Sequence, residues 1–320
     1  MTIYIDPPSW PAHGTVFSHL ISDTSLQELH DLAATAGISI RAFDQDHYDV
    51  PAHRYEDLVS RGAVPVSGRE LTRVLLRCGL RIPAAHRPEK LRPNLSRAWS
   101  RLGHTLQAAE ALTDDDAARS PAADFNRLWG LLGEELLDRW SEPHRSYHAM
   151  THLAAVLRGV GTLDRAGELP HAQRPVVSLA AWFHDAVYSG AAGADEEESA
   201  LLAETRLGPL LGAAAVSEAA RLVRVTETHD PLPDDRNGAV LVDADLQILA
   251  QDPARYAQYT AAVRQDYRHV AETDFRHGRA QVLQRLLERP TLFHTAMGRA
   301  RWESQARANL HAELELLTRG

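Results

Sequence analysis

Cysteine is almost missing from this chain: Cys78 is the only one in 320 residues. A lone thiol makes no internal disulfide and cannot build a thiolate cage, so a metal would have to be held by His and carboxylate, and a reducing cytoplasm is the expected setting. Lysine is nearly absent too, since 33 of the 34 basic residues are Arg and Lys90 stands alone. So uniform a replacement, beside so much Ala, reads as a coding bias and not as dozens of separate phosphate sites. Long apolar runs are also lacking. The longest, about Val176 to Phe183, falls far short of the roughly 20 residues a spanning helix needs, so no membrane segment is expected. The start of the chain, Met1 to Ile5 followed by Asp6 and Pro7-Pro8, has no basic stretch and no apolar core of signal-peptide length, and secretion is not expected.

What is present fits a folded protein. Hydrophobic residues make up 44% and charged residues 24%, which is ordinary globular composition, and the length suggests two folded units. The formal charge of -9 argues against a surface adapted throughout to nucleic acid. The charge is uneven, however: from Arg69 to Arg101, nine basic residues stand against Glu70 and Glu89, leaving nucleic acid open as a partner for that segment. Arg69, Arg73 and Arg77 recur every four residues on an expected helix; a solvated face is the simpler reading.

The fold class read from the pattern is α+β, with a small N-terminal α/β domain followed by an all-α domain. Residues 1–82 alternate short β-branched runs with helical ones. Thr2 to Asp6 reads as a strand, Asp23/Thr24 as a helix cap, Gly37 as a stop and Ile38 to Phe43 as a second strand. A helix then runs from Pro51 to Arg61, a strand from Ala63 to Val66 and a helix from Ser67 to Cys78. Residues 83–123 read as a basic linker punctuated by Pro83, Pro88 and Pro93, with a connecting helix at Leu95 to Leu112. Over 124–320 strand signals almost vanish, and apolar residues recur at three- and four-residue spacing, as in Phe125, Leu128, Trp129, Leu132, Leu136 and Trp140.

The most informative dipeptide is His184-Asp185, after the apolar helix ending Leu179-Ala180-Ala181-Trp182-Phe183. Two costly polar groups at the edge of a core need partners, and a divalent ion supplies one; a satisfied core His beside a capping Asp is the bland reading. The order of the residues around it narrows the choice. Tyr147-His148 and His152 come before, and Asp243-Ala244-Asp245-Leu246 follows 60 positions after Asp185. This set resembles the HD superfamily of metal-dependent phosphohydrolases, with His152 leading Leu153-Ala154-Ala155-Val156-Leu157, then His184-Asp185, then Asp245. Trp140 to Tyr147 and Ala306-Arg307-Ala308-Asn309-Leu310 look like a bacterial subgroup described only as HD phosphohydrolases. The resemblance spans roughly Phe125 to Leu317.

The resemblance implies one divalent metal ion (Mn, Fe, Mg or Zn) held by His152, His184, Asp185 and Asp245. His148, four residues before His152, could replace it as ligand or bind substrate. Asp243 and Asp245 lie ~200° apart on a helix, so only one can face the site, and the Ala-Asp-x-Leu pattern selects Asp245. His229 is the only His between Asp185 and Asp245, which disfavours a dinuclear centre and makes His229 a candidate to act on the substrate phosphate or leaving group. Within Asp195-Glu196-Glu197-Glu198, Glu196 is the best single acid or base, although all four acids also suit a helix N-terminus. Arg145 is a candidate phosphate clamp, with Arg264 and Arg279 weaker ones, and Tyr267 reads as core. The implied function is hydrolysis of a phosphate ester or anhydride, in a small nucleotide, by a metal-activated water. A catalytically weak module that binds nucleotide or nucleic acid is the rival.

Residues 1–82 resemble an uncharacterised bacterial domain sometimes fused ahead of HD domains, through Trp10-Pro11, Ser18-His19-Leu20, Asp46 to Pro51 and Val64 to Ser67. No activity comes with that resemblance. Asp6, His19, Asp23, Asp46, His47 and Asp49 nonetheless supply enough N and O donors for a second site.

Overall fold

The structure is a computed structural model that describes residues 2–12, 14–44, 46–78, 80, 88–111, 122–190 and 193–319. The chain divides into two compact units, 1–87 and 88–320. Of the expected linker, positions 83–87 and 112–121 lie outside the described residues.

The first unit is an α/β arrangement around a six-stranded sheet. Its strands are β1 (Ile3–Ile5), β2 (Trp10–Ala12), β3 (Thr15–Ser22), β4 (Phe43–Asp44), β5 (His47–Pro51) and β6 (Val64–Pro65), ordered β4-β5-β3-β1-β6 with β2 also on β3. Among the described residues, β1 and β6 pair in parallel and the other ladders are antiparallel. The expected strand over 38–43 forms only at its end, because Ser39 accepts a hydrogen bond from the Arg41 amide and winds 40–42 into a 3-10 turn. Strand periodicity sorts the side chains. Ile3, Ile5, Leu20, Tyr48 and Val50 face one side, where helices α1 (Leu26–Thr35) and α2 (Tyr55–Ser60) cover them with Leu29, Ala33 and Leu58. Tyr4 and Ile21 face the other, under Leu71 and Leu75 of helix α3 (Gly68–Arg77), whose N-cap is Ser67.

The second unit is helical, with no strand among its described residues. It begins with α4 (Pro88–Ala111) and α5 (Ala122–Arg139). The helix read as a connector is therefore longer than expected and packs within this unit, against α5. Trp99 and Trp129 stack at 4.1 Å, and each indole N–H donates to the other's backbone carbonyl, at 2.7 and 2.9 Å. The ring of each occupies the space where a Cβ would stand on Gly133 or Gly103, so two Trp-x-x-x-Gly segments interlock.

Then follow α6 (Met150–Arg165), α7 (Arg174–Phe183), α8 (Ala194–Leu207), α9 (Ala213–Thr228), α10 (Arg236–Leu246), α11 (Pro253–Asp266), α12 (Glu272–Glu288), α13 (Ala296–Arg301) and α14 (Glu303–Thr318). α6, α7, α9 and α10 pack on one another through fully buried Val156, Val160, Leu179, Ala180, Leu222, Val223, Val240 and Leu241. Gly159 lets α6 approach α10 closely: a Cβ there would lie 2.9 Å from the Ala244 Cβ. α10 carries Asp245 on its last turn, so this small residue sets how near that carboxylate comes to α6.

Candidate metal centre

His152 occupies the first turn of α6, and His184 is the residue that ends α7, so the His-Asp pair stands in the turn after the helix and not within it. The burial of Leu179 to Phe183 forces this end of α7 into the core, and His184 goes with it. His184 Nδ1 is 2.9 Å from the Ala181 carbonyl, which only an N–H can satisfy, so Nδ1 carries a proton and Nε2 is the atom left to face the centre. There it lies 3.1 Å from His152 Nε2, 3.1 Å from Asp185 Oδ2 and 3.7 Å from Asp245 Oδ1. His152 Nε2 is 3.1 Å from Asp245 Oδ1 and 3.5 Å from Asp185 Oδ2. The four side chains thus meet, and the donor atoms of His152, His184 and Asp245 all lie within 4.8 Å of one another.

Two imidazole nitrogens at 3.1 Å, in a space walled by carboxylates and almost closed to water, must share either a proton or a cation. Burial opposes charge on His184, but Asp185, Asp245 and the Ala181 carbonyl outweigh it and push the group up to about 9. His152 is raised likewise, against its burial, by Asp185 and Asp245. Burial alone would lift both carboxyls; instead His184 and His152 hold Asp185, and His152 and His229 hold Asp245, well below the usual carboxylate range.

His229 belongs to this cluster. It ends α9 in the left-handed region, at φ 51°, the only non-glycine among the described residues to do so. Its carbonyl accepts from the Arg289 guanidinium at 2.9 Å, and its Nε2 lies 2.8 Å from Asp245 Oδ2. It is neither a loose loop residue nor remote from the other four side chains.

Asp243 points away, as the helical spacing requires. It is fully buried, accepts from the His294 and Thr295 amides and the Thr295 hydroxyl, and pins the turn before α13 instead of capping its own helix. Burial raises its carboxyl despite those bonds.

Arg145 is corrected from phosphate clamp to internal strut. Its side chain is wholly inaccessible, and the guanidinium is committed to the Glu142 carboxylate and to the carbonyls of His148, Asp185 and Ala186. Burial has removed it from any ligand, but its 2.6 Å bond to the Asp185 carbonyl positions the His-Asp turn. Arg264 and Arg279 are likewise committed, to Glu272 with two carbonyls and to Glu313 with the Tyr259 hydroxyl. His148 precedes α6 and does not share its face. Its Nδ1 lies 2.8 Å from Asp266, and its ring stacks on Tyr188 at 4.2 Å, with its centroid 5.9 Å from that of His152. Tyr267 is half-buried, with its ring 3.4 Å from where a Gly190 Cβ would be.

The acidic run behaves as a helix start. Glu196 accepts from the Gly193 amide at 2.8 Å, tying down the residue that opens α8, while buried Asp195 accepts from Ser189 and Gly190. Among the described residues, no hydrogen bond or ion pair joins Glu196 to His152, His184, Asp185 or Asp245.

Sequence reasoning passed over Asp266. This buried carboxylate at the end of α11 accepts from the amides of Ser146, Tyr147 and His148 and holds the whole turn before α6. Nothing local marks it, since an Asp closing an exposed amphipathic helix is commonplace. Tyr147 was noticed only as part of a motif. Its ring lies 4.6 Å from His152, and burial, with Tyr259 and the two site carboxylates, raises its hydroxyl well above the usual phenol range.

The helical unit with its buried His and Asp cluster is thus one half of the chain's organisation, and the α/β unit is the other. Residues 3–78 match the family model described as protein of unknown function (DUF4031). No curated protein and no solved structure matches the chain.

Proposed function

We propose that the second unit binds one divalent metal ion through His152, His184, Asp185 and Asp245 and hydrolyses a phosphate ester or anhydride, in a small nucleotide. The observation that carries this reading is the meeting of two imidazole Nε2 atoms and two carboxylates, brought from α6, the turn after α7 and the last turn of α10, at 3.1 to 3.7 Å. The donors suit Mn, Fe, Mg or Zn, and four protein ligands leave positions open on a six-coordinate ion. The order of these residues, and their likeness to the HD superfamily, supports phosphoryl chemistry. No helix among the described residues is long and apolar enough to cross a membrane.

Held by these four side chains, a divalent ion would supply a water of lowered pKa and a positive charge for a phosphoryl oxygen. The chain's own residues do the rest. Ala181 fixes the His184 tautomer, and Arg145 fixes the backbone that carries Asp185. His229, bonded to Asp245, orients that carboxylate and holds a proton that can pass to a leaving oxygen. His148, anchored by Asp266, is the best remaining contact for substrate phosphate. The test is phosphate release by the purified full-length chain across a nucleotide panel with each of the four ions. Turnover that disappears in Asp185→Ala supports the proposal; an inert metal-loaded chain rejects it, and tight nucleotide binding without turnover favours the binding-module reading.

A further inference from the structure

Two histidines and four aspartates meet on the sheet of the first unit. β3 and β5 are antiparallel neighbours with His19 opposite Asp49, and His47 lies two residues before Asp49, so strand alternation puts all three on one face. That face is opposite to Leu20, Tyr48 and Val50, which serve the core under α1 and α2; it is the face that α3 partly covers. His47 Nε2 is 3.4 Å and His19 Nε2 is 3.9 Å from the same oxygen, Asp49 Oδ1, and the donor atoms of the three residues lie within 4.8 Å of one another.

Each ring is gripped from behind. His19 Nδ1 lies 3.0 Å from Asp6 Oδ2, and His47 Nδ1 lies 2.6 Å from Asp46 Oδ1. Asp6 and Asp46 are 2% and 0% exposed, and Asp6 is itself anchored by the His19 amide at 2.5 Å. The space beside Asp6 is kept by Gly68 at the start of α3, where a Cβ would lie 3.2 Å from Oδ2. A buried carboxylate behind an imidazole holds the proton on Nδ1, raises the basicity of Nε2 and aims it, which is the outer shell of a metal-bound histidine. One such pair is common in protein cores. Here two pairs aim their Nε2 atoms at one carboxylate, an arrangement that concentrates negative charge and lone pairs on a point. Asp23, named with these residues from sequence, lies apart and ties down the Thr2 amide instead.

We infer that His19, His47 and Asp49 form a second metal site that takes a divalent cation of the zinc class. Two nitrogens and one oxygen are a borderline donor set that favours such an ion over Mg or Ca. Asp44 Oδ2, 3.9 Å from His47 Nε2, is placed to supply a fourth ligand. Trp10, edge-on to the His19 ring at 5.4 Å, flanks one side. The site stands on residues of the first unit alone and does not depend on the function proposed for the second.

The test uses the full-length chain carrying His184→Ala, so that the other cluster is disabled whatever its role. Metal-free protein is titrated with Co²⁺, followed by its ligand-field absorption, and then with Zn²⁺ as competitor. Expected is one Co²⁺ per chain, displaced by one Zn²⁺. Adding His47→Ala should weaken binding by about 100-fold or more. Asp46→Asn, which leaves all three donors in place, should weaken it by ~10- to 100-fold. Circular dichroism identifies any variant that does not fold, and the titration of the His184→Ala chain itself then decides. No bound Co²⁺ or Zn²⁺ in that chain, or binding unchanged by His47→Ala in folded protein, overturns the inference.

Discussion

A histidine whose Nδ1 is tied to a backbone carbonyl has one nitrogen left, and in His184 that nitrogen faces His152, Asp185 and Asp245. Removing one carboxylate, as in Asp185→Ala, should abolish metal binding at this cluster and turnover with it, while the apolar end of α7 keeps the helix folded. The metal-free chain carries a pH signature. His184 is raised to about 9 against an unfolded value near ~6.5, so its stabilisation is complete below about pH 6.5 and is lost as the pH rises through 9. Asp245 is depressed, so its contribution is present above ~pH 4 and is lost on acidification. Melts of the chelated protein should therefore fall between pH 6.5 and 9, and His184→Ala should flatten that slope. Arg145→Ala tests the strut. It leaves the Asp185 and Ala186 carbonyls short of a donor and should cost about 3 kcal/mol or more, seen in denaturant unfolding. At this scale the meeting of His152, His184, Asp185 and Asp245 was legible because their types and order are distinctive. Arg145 was misread because sequence shows its charge but not its complete burial.

Helices were far easier to read than strands. The stripe Phe125, Trp129, Leu132, Leu136 and Trp140 marks α5 because one buried face repeats over four turns, and all five side chains are buried. β3 was not read, although it is the longest strand and the hub of the sheet. Its run Thr15-Val-Phe-Ser-His-Leu-Ile-Ser places Ser18 and His19 among apolar residues on a sheet covered on one face and partly on the other, which blurs the alternation. β5 was hidden for the same reason, its His47 and Asp49 being turned toward the polar cluster. The α6 and α10 pairing offers a further prediction. Gly159→Val would force side-chain atoms into Ala244 and Gln247, so it should destabilise the fold by about 1 to 3 kcal/mol and weaken metal binding by moving Asp245. Calorimetry and metal titration check the two halves separately; unchanged affinity would mean that α10 does not set the position of the carboxylate.

For the molecule as a whole, metal and stability should be linked, because an ion bound by the folded cluster has no preformed site in the unfolded chain. Saturation at about 100 times Kd adds ~2.7 kcal/mol, so chelation should lower the melting temperature and readdition restore it, with the effect absent when both clusters are disabled. The division into an α/β unit and a helical unit was legible from the change in periodicity, but the place of α4 was not, since Pro93 and the basic flanks imitate a linker. The most direct measurement is an anomalous difference map from crystals of the full-length chain equilibrated with Mn²⁺. A single strong peak within ligand distance of His152 Nε2, His184 Nε2, Asp185 and Asp245 is expected. A map with no peak there at millimolar Mn²⁺, and the two imidazoles bonded only to each other, would contradict it.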